Sequence, residues 1–168
     1  MAAAAPTVVP SSSTSSSTIQ WDVFLSFRGE DTRDNFTSHL YGALVSKGIK
    51  TFKDDEGLKK GELISEALEK TIKKSRISII IFSRNYANSR WCLEELALIM
   101  ERWKKNGQKV IPIFLKGIDQ LDVKHQKESF GEPFGEHEKN FDRKMVERWR
   151  SALRAAAQLP GWSFIDFR

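Results

Sequence analysis

The stretch Arg76-Ile77-Ser78-Ile79-Ile80-Ile81-Phe82 (RISIIIF) is apolar at nearly every position. A strand with one face in water alternates apolar and polar side chains. A run such as this one reads instead as a strand covered on both faces, as in a parallel sheet held between helices. Working outward, Lys109–Leu115 (KVIPIFL) repeats the pattern, and Trp21–Phe27 (WDVFLSF) is β-branched and aromatic. Ile49–Phe52 reads as a short strand and Trp162–Phe167 as a fifth. Pro112 removes one donor from its strand and predicts a bulge or an edge position there.

The segments between these strands carry helical spacing. Thr32–Lys47 places Phe36, Leu40, Tyr41, Leu44 and Val45 on one stripe, and Gly48 suits a left-handed stop. Glu62–Ser75 repeats the spacing through Leu63, Ile64, Ala67, Leu68 and Ile72. Trp91–Asn106 closes at Gly107. Val123–Asn140 reads as irregular with short helical turns. Arg143–Gln158 turns Met145, Val146, Trp149, Leu153 and Ala156 inward. Strand and helix in alternation, with short connections, imply a parallel sheet with helices on both faces. In such sheets ligands bind at the carboxyl ends of the strands, where the strand order reverses. A flavodoxin-like order would bring three segments together there: Phe27-Arg28-Gly29, the charged loop Lys53–Gly61, and Ser83–Trp91.

Composition bounds the rest. The chain has 168 residues, enough for one domain with a core and too few for two ordinary ones. Residues 1–20 hold no charged side chain, and Ser11–Thr18 are all Ser or Thr, so they read as a tail before a domain over residues 21–168. They lack the basic start and long apolar core of a secretory signal; a Ser-rich plastid transit peptide fits except for the missing Arg. No stretch approaches the roughly 20 apolar residues that span a bilayer, so no membrane partner is expected. A net charge of +5 suits an anionic small ligand and does not demand nucleic acid. The single Cys92 can make no internal disulfide, and the default location is cytoplasmic or nuclear.

Several chemistries are excluded. The chain contains no Gly-x-Gly-x-x-Gly, and Gly57-Leu58-Lys59-Lys60-Gly61 lacks phosphate-loop spacing. A phospho-receiver would want Asp where Phe82-Ser83 stands. His39, His125 and His137 are scattered, and with one Cys they make no zinc motif. A Ser-His-Asp triad stays open, though no Gly-x-Ser-x-Gly elbow supports it.

Four stretches together resemble the plant-type Toll/interleukin-1 receptor (TIR) domain. They are Asp22–Arg33 (DVFLSFRGEDTR), Gly48–Asp55 (GIKTFKDD), Ser83–Leu96 (SRNYANSRWCLEEL) and Trp149–Trp162. The resemblance implies a flavodoxin-like, five-stranded parallel α/β sheet. It also implies an immune signalling module that self-associates and cleaves NAD⁺ or NADP⁺ at the nicotinamide–ribose bond, with NAD⁺ as substrate and no cofactor. The products would be nicotinamide and ADP-ribose or a cyclic or derivatised form. The alternative is a catalytically weak TIR–TIR adaptor.

The family's Trp-x-x-x-Glu motif maps to Trp91 and Glu95, which share a helix face at i, i+4. Glu95 is then the catalytic carboxylate. Phe27, Arg28, Gly29 and Trp91 would meet substrate, with Phe27 and Trp91 stacking on it, and Lys59 and Lys60 would meet the pyrophosphate or a neighbouring protomer. Ser38-His39 matches a self-association pair. Each has a plainer reading. Glu95 could be a solvated acid at a helix start, Arg28 could pair with Glu30 or Asp31, and Lys59 and Lys60 could be loop charges. Ser38 and His39 could be bystanders, Asp54 and Asp55 could be loop caps, and Cys92 reads as a small buried residue.

The chain departs from the family in two places. Lys116–Leu121 replaces the usual turn after strand four, and Asp122–Gln126 recovers the pattern. The resemblance also implies a further amphipathic helix after Trp162, whereas the sequence ends at Arg168. The expectation is a sheet lacking that helix, with apolar area uncovered beside the first one, in a TIR-only protein or a truncated receptor.

Overall fold

A computed structural model describes residues 18–54 and 66–164. Five parallel strands form one sheet in the order β2-β1-β3-β4-β5. They are β1 (Trp21–Ser26), β2 (Thr51–Lys53), β3 (Ser75–Phe82), β4 (Lys109–Phe114) and β5 (Trp162–Ser163). This is the flavodoxin-like order, and its reversal point lies between β1 and β3. The expected run Arg76–Phe82 is the central strand, paired with β1 on one side and β4 on the other.

Helices α1 (Gly29–Thr32), α2 (Phe36–Ser46), α3 (Glu66–Lys73), α4 (Arg90–Asn106), α5 (Gln120–His125), α6 (Phe134–Asn140) and α7 (Arg143–Ala157) complete the described residues, with 3₁₀ turns at Tyr86–Asn88 and Glu128–Phe130. None of the described helices is long and apolar enough to cross a membrane.

Several expectations on the elements are corrected. The single helix expected over Thr32–Lys47 is two, because the chain turns at Arg33–Asn35 and Asn35 caps a new start. The Thr32 and Thr37 hydroxyls hydrogen-bond across the break at 2.7 Å. The second strand begins at Thr51 rather than Ile49. Gly48 N–H donates to Val45 O and Ile49 N–H to Leu44 O, so both residues are committed to stopping α2, with Gly48 at φ 78°. Residues 123–140 are more regular than expected and form α5, a 3₁₀ turn and α6.

Pro112 neither bulges β4 nor places it at an edge, and the β3–β4 register runs unbroken past it. Phe114 O accepts from Phe164 N–H on the β5 side, and Pro112, two residues earlier, faces the same way. Its missing donor therefore points to where β5 is only beginning. A Cβ on Gly161 would collide with the Pro112 carbonyl, so glycine allows the two backbones to meet there.

The two sides of the sheet are covered unequally. On one side Phe24, Ile80, Phe82 and Phe114 pack with α3, α4, the 3₁₀ turns and α7. On the other, Val23, Leu25, Phe27, Ile79, Ile81 and Ile113 meet partly buried side chains of α2.

Candidate functional site

Along β1, successive side chains point to opposite faces. Phe24 and Ser26 therefore face α4, while Leu25 and Phe27 face α2. The α4 face carries the expected Trp91–Glu95 pair. Ser89 caps α4 by accepting from Cys92 N–H at 3.1 Å, which fixes the first turn at the carboxyl edge of the sheet. Trp91 is half-buried there, and Glu95, one turn on, is only 4% exposed.

A solvated helix-start acid is thereby ruled out for Glu95. Burial pushes its carboxyl up to about 8; the Ser26 hydroxyl pulls down, the Asp54 carboxylate pushes further up, and the Trp91 indole pulls down. Trp91 Nε1 lies close enough to act on Glu95 electrostatically, yet it makes no hydrogen bond of normal geometry and is buried without a partner. Glu95 lines neither the cleft of about 450 Å³ beside Arg84 nor that of about 680 Å³ beside Leu121 and Phe164.

The three segments expected at the switch point do meet, as far as residues 53–61 are described. The Cys92 thiol donates to Phe27 O at 3.5 Å, tying the end of β1 to α4. Cys92 is buried, and burial above all, with the nearby Glu95 charge, pushes its thiol up to about 12, so it is not a ready thiolate. Asp31 ties α1 to the end of β3: Oδ2 accepts from Ser83 Oγ at 2.6 Å and Asn85 N at 2.7 Å, and Oδ1 accepts from Asn85 Nδ2 at 2.9 Å. Burial raises the Asp31 carboxyl, but these bonds and the Arg28 charge outweigh it and hold it below its ordinary value. Asp54, at the end of β2, reaches the site through its charge on Glu95.

The other expected residues are placed as follows. Arg28 pairs with Glu30 at 3.2 Å, a solvent-facing contact, while its Nε is buried with no partner. Gly29 opens α1, and a Cβ there would come closest to the guanidinium of Arg33. Phe27 packs in the α2-side cluster and Trp91 against the α4-side one. Ser38 and His39 are exposed on α2. Lys59, Lys60 and Asp55 lie outside the described residues.

The sequence reading missed Ser26 and Tyr86, whose hydroxyls meet at 2.8 Å beneath Glu95. Their signal was strand parity: Ser26 stands on the Phe24 face, where a hydroxyl needs a partner. It also missed His137, a buried ring on α6 that donates from Nε2 to Ala87 O at 2.8 Å and packs against Phe134, Phe141 and Trp149. That contact pins the 3₁₀ turn carrying Tyr86.

Comparison with known proteins places this geometry. A family model described as TIR domain matches residues 20–168. The chain is 54% identical over 151 residues to disease resistance protein RPV1 of Vitis rotundifolia, covering 90% of this chain and 11% of that protein. It is 54% identical over 152 residues to TMV resistance protein N of Nicotiana glutinosa, covering 89% and 13%. The chain thus spans only a small part of these relatives. Among solved structures, the TIR domains of the activated Roq1 resistosome superpose with a TM-score of 0.77 at 46% identity, covering 86% of this chain and 88% of that one.

Proposed function

The chain belongs to the TIR domain family, and on that premise we propose that it is an NAD⁺ nucleosidase whose activity and immune signalling depend on association of TIR domains. The observation that carries this reading is a buried carboxyl, Glu95, one helical turn from Trp91 at the reversal point of the sheet. The reaction breaks the bond between C1′ of the ribose and the nicotinamide nitrogen. The bonding pair leaves with nicotinamide, which departs neutral and needs no acid. Positive charge develops at C1′ and the ring oxygen, and an ionised Glu95 beside it stabilises that charge or holds a ribose hydroxyl. Water adds to C1′ and loses a proton to give ADP-ribose; an internal nucleophile would give a cyclic product.

Two unpartnered buried N–H groups support a polar ligand here, Arg28 Nε and Trp91 Nε1. A buried donor without an acceptor costs roughly 1–3 kcal/mol, which phosphate or ribose oxygens would recover. The nicotinamide cation also favours ionisation of a carboxyl that burial otherwise keeps neutral. The free-protein pH dependence, read in kcat/KM, should therefore rise toward pH 8, and kcat should level off at lower pH. Lys59 and Lys60 would serve the pyrophosphate or a neighbouring protomer, and Ser38 and His39 the α2 association face. A cytoplasmic or nuclear setting suits both NAD⁺ and a reduced Cys92.

The deep burial of Glu95 favours a second reading, a TIR–TIR adaptor with little activity of its own. Nicotinamide release from NAD⁺ by concentrated protein separates the two. Glu95→Ala should abolish the release. If wild type and Glu95→Ala are equally silent while the protein still binds a TIR partner, the nucleosidase reading fails.

A further inference from the structure

The hydrogen bonds beneath Glu95 have a proton order that can be counted. Tyr86 Oη lies 3.2 Å from the Cys92 carbonyl oxygen, which can only accept, so the phenol proton points there. Tyr86 Oη also lies 2.8 Å from Ser26 Oγ. With the phenol proton committed to Cys92, the Ser26 hydroxyl is the donor in that second bond. Ser26 then has only lone pairs to offer Glu95, the carboxyl on which its hydroxyl acts. Any hydrogen bond between the two then takes its proton from Glu95, as the neutral acid. Ser26, Tyr86, Cys92 and Glu95 are all buried, so water does not relax the count.

Ionisation of Glu95 reverses the order. A carboxylate draws the donors in reach, the Trp91 indole and also Ser26, so Ser26 turns to it, Tyr86 turns to Ser26, and the Cys92 carbonyl loses its side-chain partner. We propose that Ser26 and Tyr86 are positioning residues that act as a reversible relay, holding Glu95 as the neutral acid in the resting protein and presenting a hydrogen bond to its carboxylate when a cationic substrate arrives. The relay deepens the nucleosidase reading and takes its purpose from it, but its effect on Glu95 is measurable without turnover. The charged groups around it are Asp54 from the end of β2, which disfavours the carboxylate, and Arg28 and Asp31 from the β1–α1 segment, which act on Cys92.

The plainer reading makes Tyr86 a core plug with a satisfied hydroxyl. It predicts that Tyr86→Phe leaves the Glu95 titration alone. The relay predicts two shifts of opposite sign. In Tyr86→Phe the Ser26 proton is free for the carboxylate, so the Glu95 midpoint falls by about one pH unit. In Ser26→Ala the carboxylate loses its donor, a larger loss than the neutral acid's acceptor, so the midpoint rises by a similar amount.

The experiment is a ¹³C NMR titration of protein labelled at the glutamate carboxyl carbon, with Glu95→Gln assigning the signal. Ser26→Thr and Ser26→Val, equal in shape and differing by the hydroxyl, serve if Tyr86→Phe does not fold: only Val should raise the midpoint. An unmoved or raised midpoint in Tyr86→Phe, or equal midpoints in the Thr and Val variants, overturns the relay. Opposite shifts in a protein that releases no nicotinamide would leave the relay standing and remove the nucleosidase reading. Normal release without the shifts would remove the relay alone.

Discussion

The α4 face of the sheet and the α2 face are built to different standards. On the α4 side the buried cluster draws on the sheet, α3, α4, α7 and the turns between them, and includes Trp149, Tyr86, Phe130 and Phe134 at 1% exposure or less. Among the described residues, the buried cluster on the α2 side comes from the strands and from Phe27 just past β1, and α2 itself fully buries a single residue, Thr37. Val45, Trp162 and Phe164 remain exposed, and Phe164 meets Phe36 of α2 edge-on at 5.4 Å. A site that must hold a carboxyl in one geometry needs neighbours locked by packing. A face that meets other proteins must keep apolar surface available. One sheet thus separates the two tasks, with catalysis proposed on the densely packed side and association on the loosely covered one.

The sharpest way to break this comparison is to titrate stability. Glu95 has an ordinary value of 4.5 and is raised to about 8 in the fold. Between these values the native state holds a proton that the unfolded state has lost, so stability falls as pH rises through this window and is lowest above it. The full shift corresponds to something on the order of 5 kcal/mol, an upper figure for one buried group. Urea denaturation at pH 5 and pH 8.5 should show the decline in wild type and a much flatter profile in Glu95→Gln. An equally steep profile in Glu95→Gln would assign the slope to other groups.

Packing itself is the next test. Trp149 is fully buried on α7, and its Nε1 donates to Glu94 Oε1 at 2.8 Å. Trp149→Ala should cost about 3–5 kcal/mol, through the cavity and the lost hydrogen bond to Glu94, which keeps Arg148 as a partner. Leu44→Ala on half-buried α2 should cost nearer 1 kcal/mol, since much of that side chain already meets solvent. Equal losses in denaturant midpoints would mean that the two faces are not packed differently after all.

A smaller effect is expected where α1 is tied to the end of β3. Asp31→Ala removes three hydrogen bonds to a carboxylate and should cost roughly 2 kcal/mol at neutral pH. Because the Asp31 carboxyl is held below 3.8, its contribution is full above that pH and fades as the pH falls through its lower folded value. The variant should therefore differ from wild type at pH 7 and converge with it in strong acid.

These effects also mark what was legible in the sequence. The central strand, its apolar neighbours and the helix stops at Gly48 and Gly107 were readable, because periodicity and left-handed glycines are local signals. The Trp91–Glu95 pair was readable as one helix face. Its burial was not, because that depends on Ser26 and Tyr86, residues 60 positions apart that the fold brings together. The break in the first helix escaped for the same reason: Asp31 is anchored to Ser83 and Asn85, 52 and 54 positions away. Pro112 misled because its missing donor matters only relative to where β5 begins.

The smallest effect belongs to the α2 face. Ser38 and His39 are exposed on α2, away from the packed cluster, so replacing both with alanine should leave thermal stability within about 0.5 kcal/mol of wild type. If this face associates with a second TIR domain, the double substitution should weaken self-association by roughly 5- to 30-fold, the range for a moderately important contact pair. Sedimentation at several concentrations reads that change directly. The same variant should leave the Glu95 titration untouched, because Glu95 belongs to the other side of the sheet. A shift in that titration would show that the two faces are coupled through β1, whose Ser26 and Phe27 point to opposite sides. Unchanged sedimentation would leave Ser38 and His39 as ordinary surface residues.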